Sequence, residues 1–275
     1  MLKLALIGQN VLDSFSPEIH HFILGCMGEN CTFEKVSVRP EEFGAKIEGI
    51  FERFDGFNIT IPFKREILPY LKELSGDAKL FGSVNTVVSE TRNGYNTDGF
   101  GFLLMLQNEG VELKSKKVLV LGTGGAGRSC MKELIDAGAQ VYAYNRTADR
   151  LKQVYAAFQG FTPLFEIPRE KFDIIINCTG VGMHETEGQT PEVCFEGGRI
   201  APVDELLASC ETAVDLIYRP EKSEFLQVAE RCGKKVINGF AMLFYQAYMA
   251  DCIFLRKEPI AEEARRLFKK YGGTL

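Results

Sequence analysis

Four polar clusters in the first half of the chain hold side chains suited to chemistry. They are Ser14-Phe15-Ser16-Pro17, Asn58-Ile59-Thr60-Ile61-Pro62-Phe63-Lys64, Val84-Asn85-Thr86 and Asn96-Thr97-Asp98-Gly99. Together they supply hydroxyls, amides, one lysine and one carboxylate, a set that binds a small polyhydroxylated acid without a metal. The first two and the last fall where the pattern passes from strand to helix, and ligands gather at such carboxyl ends in open α/β sheets. Plainer readings stand beside these: Ser16 or Asp98 as a helix cap, Asn85 as a turn amide, Lys64 as a solvated lysine. Ser14 is not explained by capping. Lys64 is read in a helix's first turn, where the dipole disfavours a cation, while a carboxylate such as Asp98 favours it. A lysine balanced between these influences suits proton exchange with a hydroxyl/ketone pair.

A second kind of chemistry is written at Gly122-Thr123-Gly124-Gly125-Ala126-Gly127, a GxGxxG run between the strand VLVL and the helix RSCMKELIDAG. Its glycines permit a tight turn and let a pyrophosphate approach the free N–H groups at the helix start. A tight turn without a ligand is the plainer reading. About twenty residues on, where an NAD site places a carboxylate against the ribose, the chain reads Asn145-Arg146-Thr147, with Arg150 one helical turn beyond. Arg146 is placed to meet a 2'-phosphate with a planar, permanently charged fork, so NADP(H) is the expected cofactor. The competing reading puts both arginines on a solvated helix face with Thr147 as its cap, and Asp149 is a carboxylate that would partly neutralise them.

The elements that must position these residues alternate. Strands are expected at 2–8, 31–38 and 56–61, helices at 16–28, 40–54 and 63–74, with Pro69 set to break or kink the last. The Asn93-Gly94 step then signals a hairpin, so the first sheet is mixed. A helix from Asp98 leads to a doubly wound sheet with strands at 118–122, 139–145, 173–180 and 211–218. The stretch 238–255 is apolar on nearly all sides, as in a helix buried between layers, and 259–273 reads as a final helix opened by its proline. The expected architecture is α/β: a mixed substrate domain at 1–101, a Rossmann-type NADP domain at 102–237 and C-terminal helices at 238–275. With 275 residues, 45% of them hydrophobic and 25% charged, the chain has the material for a real core. Lys+Arg number 32 against 37 Asp+Glu, a net charge of -5, which argues against nucleic acid as a ligand. Eight scattered cysteines and only three histidines suggest neither a disulfide framework nor a metal site. No membrane span or signal peptide is read, and a cytoplasmic protein is expected.

The motifs SFSPEIH, GFNITIPFK, VNT, GYNTDGFG, GTGGAGR, NRTADR, DLIYRP and NGFAMLFYQA run in one order from residue 14 to residue 247. In this the chain resembles the shikimate dehydrogenases. The resemblance implies reversible NADP-dependent reduction of 3-dehydroshikimate to shikimate, in a cleft between two domains, with the C-terminal helices folded back onto the first. It implies that Ser14 and Ser16 hold the substrate carboxylate with Tyr218 close by, and that Asn58, Thr60, Asn85 and Gln246 hold its hydroxyls and ring. Lys64 and Asp98 would form the catalytic pair. Gly239 and Leu216 would lie along the nicotinamide. The chain departs from the family at His21, at Gly127 where alanine or serine is usual, at Leu216 where methionine is frequent, and in lacking a proline after Thr179. A paralogue acting on quinate or aminoshikimate, and a non-catalytic metabolite sensor, are the alternatives; the partner is a small molecule, and the chain acts as a monomer or homodimer.

Overall fold

A computed structural model describes residues 1–183 and 203–272, which form two compact units. The first comprises Met1–Leu104 together with the chain from Leu243 through the last helix; the second is Met105–Met242. His184 and Cys194, counted in the sequence reading, lie outside the described residues.

In the first unit β1 (Leu2–Gly8), β2 (Cys31–Ser37), β3 (Gly56–Ile59), β4 (Glu73–Leu74), β5 (Thr86–Val88) and β6 (Asn93–Tyr95) form one sheet in the order β2-β1-β3-β5-β6-β4. β1 runs parallel to β2 and β3, whereas β5 runs antiparallel to both β3 and β6, so the sheet is mixed. Both faces of β1 are covered. Ala5 and Ile7 join a core with Phe43, Ile47 and Phe57, while Leu4 and Leu6 pack with Leu24 and Phe33, the two-residue alternation of a central strand. The covering helices include α1 (Ser16–Cys26), α2 (Phe43–Arg53) and α3 (Gly76–Phe81); α4 (Asp98–Asn108) follows β6.

The second unit holds an all-parallel sheet, order β12-β11-β10-β7-β8-β9. Its strands are β7 (Lys117–Leu121), β8 (Gln140–Tyr144), β9 (Phe161–Leu164), β10 (Ile174–Asn177), β11 (Thr212–Asp215) and β12 (Lys235–Ile237). The helices are α5 (Gly125–Asp136), α6 (Ala148–Ala157), α7 (Val203–Ser209) and α8 (Glu224–Arg231). β10 and β11 are wholly buried, as the near-continuous apolar run of a doubly covered parallel strand requires. The chain then returns through α9 (Phe240–Phe254), whose Phe244, Tyr245 and Tyr248 are fully buried, and α10 (Ala261–Tyr271).

Four local expectations are corrected. Residues 63–74 form no α-helix: Pro69 has no N–H to give, and a chain of turns leads into a 3₁₀ turn at Leu68–Tyr70 and then β4. The hairpin turns over 89–92, with Arg92 at φ 57°, while Asn93 and Gly94 already stand in β6 opposite Val88 and Val87. Ser16 caps nothing; Phe15 holds the cap position of α1, and Ser14 Oγ accepts the Ser16 N–H at 3.2 Å. Pro259 lies ahead of the last helix, which starts at Ala261. The strands β4, β9 and β12 escape the sequence reading. Each closes an edge of its sheet, where short runs suffice and β9 tolerates Pro163.

Candidate active site

The first sheet's topology gathers the four polar clusters. β1 and β3 are parallel neighbours, so the segments leaving Gly8 and Ile59 emerge at the same edge. β5 is antiparallel and starts there, with Thr86 opposite Asn58, and β6 ends there, with Tyr95 opposite Thr86. Ser14 and Ser16 follow β1, Thr60 and Lys64 follow β3, Asn85 precedes β5, and Asp98 follows β6.

At this edge Lys64 Nζ donates to Asp98 Oδ2 at 2.7 Å, with the lysine side chain 20% exposed and the carboxylate 7%. Asp98 Oδ1 accepts from Asn85 Nδ2 at 2.9 Å, and its backbone N–H donates to Asn96 Oδ1 at 3.0 Å. The carboxylate is thus held at both oxygens, and the ammonium retains two further hydrogens for a ligand. Because no α-helix begins at Lys64, the helix-dipole influence expected there is absent, and Asp98 is its charged partner. Gln246, brought back by α9, accepts from Asn85 Nδ2 and from Thr97 Oγ1, each at 3.2 Å. Asn58 Nδ2 donates to the Asn85 carbonyl and to Thr86 Oγ1, while its buried Oδ1 has no partner among the described residues. The Ser14 and Ser16 hydroxyls stand 3.0 Å apart. Two hydroxyls this close converge on one anion as readily as on each other. Tyr218, expected beside these serines, is half-buried in the loop after β11 and belongs to the second unit.

The second unit builds a different site at the carboxyl edge of its parallel strands. A cavity of about 370 Å³ is lined by Leu121 at the end of β7 and Gly122 beyond it, by Tyr144 at the end of β8 with Asn145, Arg146, Thr147 and Arg150 beyond it, and by Thr179, Gly180 and Val181 after β10. β8 and β10 flank β7 on opposite sides, so the cavity sits where the strand order reverses. The glycines of the loop differ in purpose. Gly122 adopts φ 96°; nothing lies within 4 Å of a Cβ built on Gly124, the helix's cap position, which leaves that side open to a ligand; a Cβ on Gly127 would stand 2.2 Å from the Gly122 carbonyl oxygen. Asn145 ties the two loops together, accepting the Thr123 N–H at 3.2 Å and donating to the Thr147 carbonyl at 3.1 Å. Thr147 holds the cap position of α6 without capping through its side chain. Asp149 pairs with Lys152 at 3.2 Å, and no carboxylate among the described residues pairs with Arg146 or Arg150. Gly239 N donates to the Ile217 carbonyl at 3.1 Å, and a Cβ there would meet the Leu216 oxygen at 2.0 Å, so glycine is what lets residue 239 lie against Leu216. A pyrophosphate fits the uncapped helix start and a 2'-phosphate fits the two unpaired guanidinium groups.

The family profile of the shikimate dehydrogenase substrate binding domain matches residues 6–87, and that of shikimate / quinate 5-dehydrogenase matches residues 105–187. A shikimate dehydrogenase (NADP(+)) of Carboxydothermus hydrogenoformans is 35% identical over 256 residues, covering 89% of this chain and 88% of the relative. The chain belongs to the shikimate dehydrogenase family. A shikimate dehydrogenase (NADP(+)) of Caldicellulosiruptor bescii is 37% identical over 92% of this chain and 89% of the relative. The solved structure of a Thermus thermophilus shikimate 5-dehydrogenase in complex with NADP(H) and shikimate superposes with a TM-score of 0.81 at 33% identity, covering 97% of this chain and 100% of that one.

Several residues of both sites escape the sequence reading as site residues. Thr97 exchanges hydrogen bonds with Asn85 on both its N–H and its hydroxyl, and Asn96 orders the Asp98 backbone; both lay inside a quoted motif without a role. Tyr144 lines the cavity of the second unit, and so does the 179–181 loop, which the family resemblance sets near the cofactor without giving its residues a role. Their signal was available, since each stands at or just past the carboxyl end of a strand.

Proposed function

We propose that this chain is a shikimate dehydrogenase, reducing 3-dehydroshikimate reversibly to shikimate with NADPH, with Lys64 and Asp98 as its acid–base pair. The observation that carries the assignment of the pair is the 2.7 Å Lys64–Asp98 contact at the edge that also gathers Asn58, Asn85 and Gln246. The cofactor, held by the loop 122–127 and by Arg146 and Arg150, supplies the hydride. Lys64 gives a proton to the oxygen of the substrate ketone as negative charge develops there, and takes it back in the reverse direction. Asp98 orients the ammonium and stays available to a substrate hydroxyl. Ser14 and Ser16 bind the substrate carboxylate; Asn58, Thr60, Asn85 and Gln246 bind its hydroxyls and fix the ring, which is where most of the rate advantage of alignment arises. Leu216 and Gly239 would lie beside the nicotinamide ring of the bound cofactor. A cytoplasmic location suits cysteines that form no disulfide among the described residues, and the chain acts there as a monomer or homodimer.

The test is absorbance at 340 nm with shikimate and NADP, run against quinate and NAD. Shikimate with NADP is the expected best combination; a clear preference for quinate with NAD would overturn the reading. Lys64→Ala is expected to lower kcat by about 10²- to 10⁴-fold while leaving shikimate affinity nearly unchanged.

A further inference from the structure

At the ends of β10 and β11 stands a buried polar cluster that no step above employs. Asp215 is fully buried, and Asn177 is 1% exposed. Asp215 Oδ1 accepts from Asn177 Nδ2 at 3.1 Å and from the Ile217 N–H at 3.0 Å, and its Oδ2 accepts from Ser223 Oγ at 2.5 Å. Asn177 in turn accepts at Oδ1 from the Thr179 N–H at 3.1 Å and the Thr179 hydroxyl at 2.6 Å, and the Thr179 hydroxyl accepts the Val181 N–H at 3.2 Å. One carboxylate therefore grips two loops. The first is 179–181, a wall of the cofactor cavity, and the second is 216–218, against which Gly239 packs.

We infer that Asp215 is a positioning residue for the dinucleotide, touching no ligand itself but fixing through Asn177 and Ile217 the two loops that receive it. This rests on the cofactor reading of the cavity. A carboxylate in an apolar core is costly, and burial pushes Asp215 up to about 6 in spite of its three hydrogen bonds. A hydrophobic residue would serve stability as well or better, so the cost is consistent with a need for an acceptor that two loops share. The acceptor, rather than the charge, holds the loops. Asp215→Asn retains an oxygen for Asn177 and Ile217 and turns its amide toward Ser223, whereas Asp215→Ala removes both loop bonds.

NADPH binding, read from the cofactor's own fluorescence on the full chain, separates the possibilities. Asp215→Ala is expected to weaken NADPH about tenfold or more, and Asp215→Asn by less than about threefold. Asn177→Ala, which severs only the 179–181 loop, is expected to fall between them, and it keeps the test alive if Asp215→Ala does not fold. Folded Asp215→Ala or Asn177→Ala that binds NADPH as the parent does overturns the inference, as does equal weakening by Asp215→Asn and Asp215→Ala. Failure of the parent itself to bind NADPH would overturn the cofactor reading instead.

Discussion

At the scale of single residues, the chemistry depends on how completely each polar atom is committed. Asp98 accepts one internal hydrogen bond at each oxygen, from Lys64 and Asn85, and keeps a further lone pair on each for a substrate hydroxyl, so it is suited to orient a proton donor more than to carry the proton itself. Gly127 illustrates a different constraint. The family resemblance makes alanine or serine at home there, yet a Cβ in this chain would stand 2.2 Å from the Gly122 oxygen, and backbone yields less readily than a side chain. Gly127→Ala is accordingly expected to weaken NADPH binding and to cost about 1–3 kcal/mol of stability in urea unfolding; a fully stable variant with parental affinity would show that the loop has slack. Asp215 offers a pH signature. Its carboxyl rises from 3.8 to about 6, so the folded state holds the proton more tightly than the unfolded chain. That contribution favours folding fully below pH 3.8 and is lost as pH rises through about 6. The unfolding free energy of the parent minus that of Asp215→Asn is expected to fall across that interval; a flat difference counts against the buried ionisation. Lys64 and Asp98 are legible in the sequence as residue types at the carboxyl ends of expected elements. Their contact is legible only through the family resemblance, because 34 residues separate them and only the reversal of β5 and β6 closes the gap. Asp215 was hidden for the same reason: its donors come from three different segments.

At the scale of elements, α1 and α9 are joined by His20 Nδ1 and Asp251 Oδ1, 2.6 Å apart and both fully buried. His20 also stacks on Phe33 with ring centroids 4.6 Å apart. The contact matters beyond stability because α1 begins with Ser16 and α9 carries Gln246, so the pair fixes against each other two helices that carry residues proposed to bind substrate. Removing one partner leaves the other buried without compensation. Asp251→Ala is expected to cost about 3–5 kcal/mol in urea unfolding, and to raise the Michaelis constant for shikimate more than that for NADP. Equal rises in both constants would mean that the pair acts only on global stability. The interior strands β1, β3, β7, β8, β10 and β11 were readable because apolar runs of that length have few other uses. Of the four edge strands, β2 was readable because it is as long as its neighbour β1, whereas the short β4, β9 and β12 were not, since an edge needs only a few backbone partners and tolerates proline or charge. The false helix at 63–74 came from a helical spacing that one proline defeats. The observed chain of turns places Lys64 beside Asp98 all the same.

At the scale of the molecule, the two units differ in how the chain closes them. The second is a single run, Met105–Met242, which contains every described residue lining the 370 Å³ cavity and a core of its own built on Leu119, Phe172, Ile175 and Phe225. The first is completed only when the chain returns at Leu243, bringing Gln246 to Asn85 and Asp251 to His20. With a net charge of -5 the protein does not attract anionic ligands through its overall field, so affinity rests on local cations and N–H groups, and the Arg146 and Arg150 pair travels with the second unit. A fragment spanning residues 105–242 is therefore expected to fold, to bind NADPH within about threefold of the intact chain and in preference to NADH, and to oxidise no shikimate. A fragment ending at residue 104 is expected to bind neither ligand, because its site lacks Gln246 and its buried histidine lacks Asp251. Circular dichroism with NADPH fluorescence decides the matter: a folded 105–242 fragment that does not distinguish NADPH from NADH would mean that Arg146 and Arg150 do not read the 2'-phosphate. The same fragment with lost affinity for both cofactors would place part of the binding free energy on residues of the first unit.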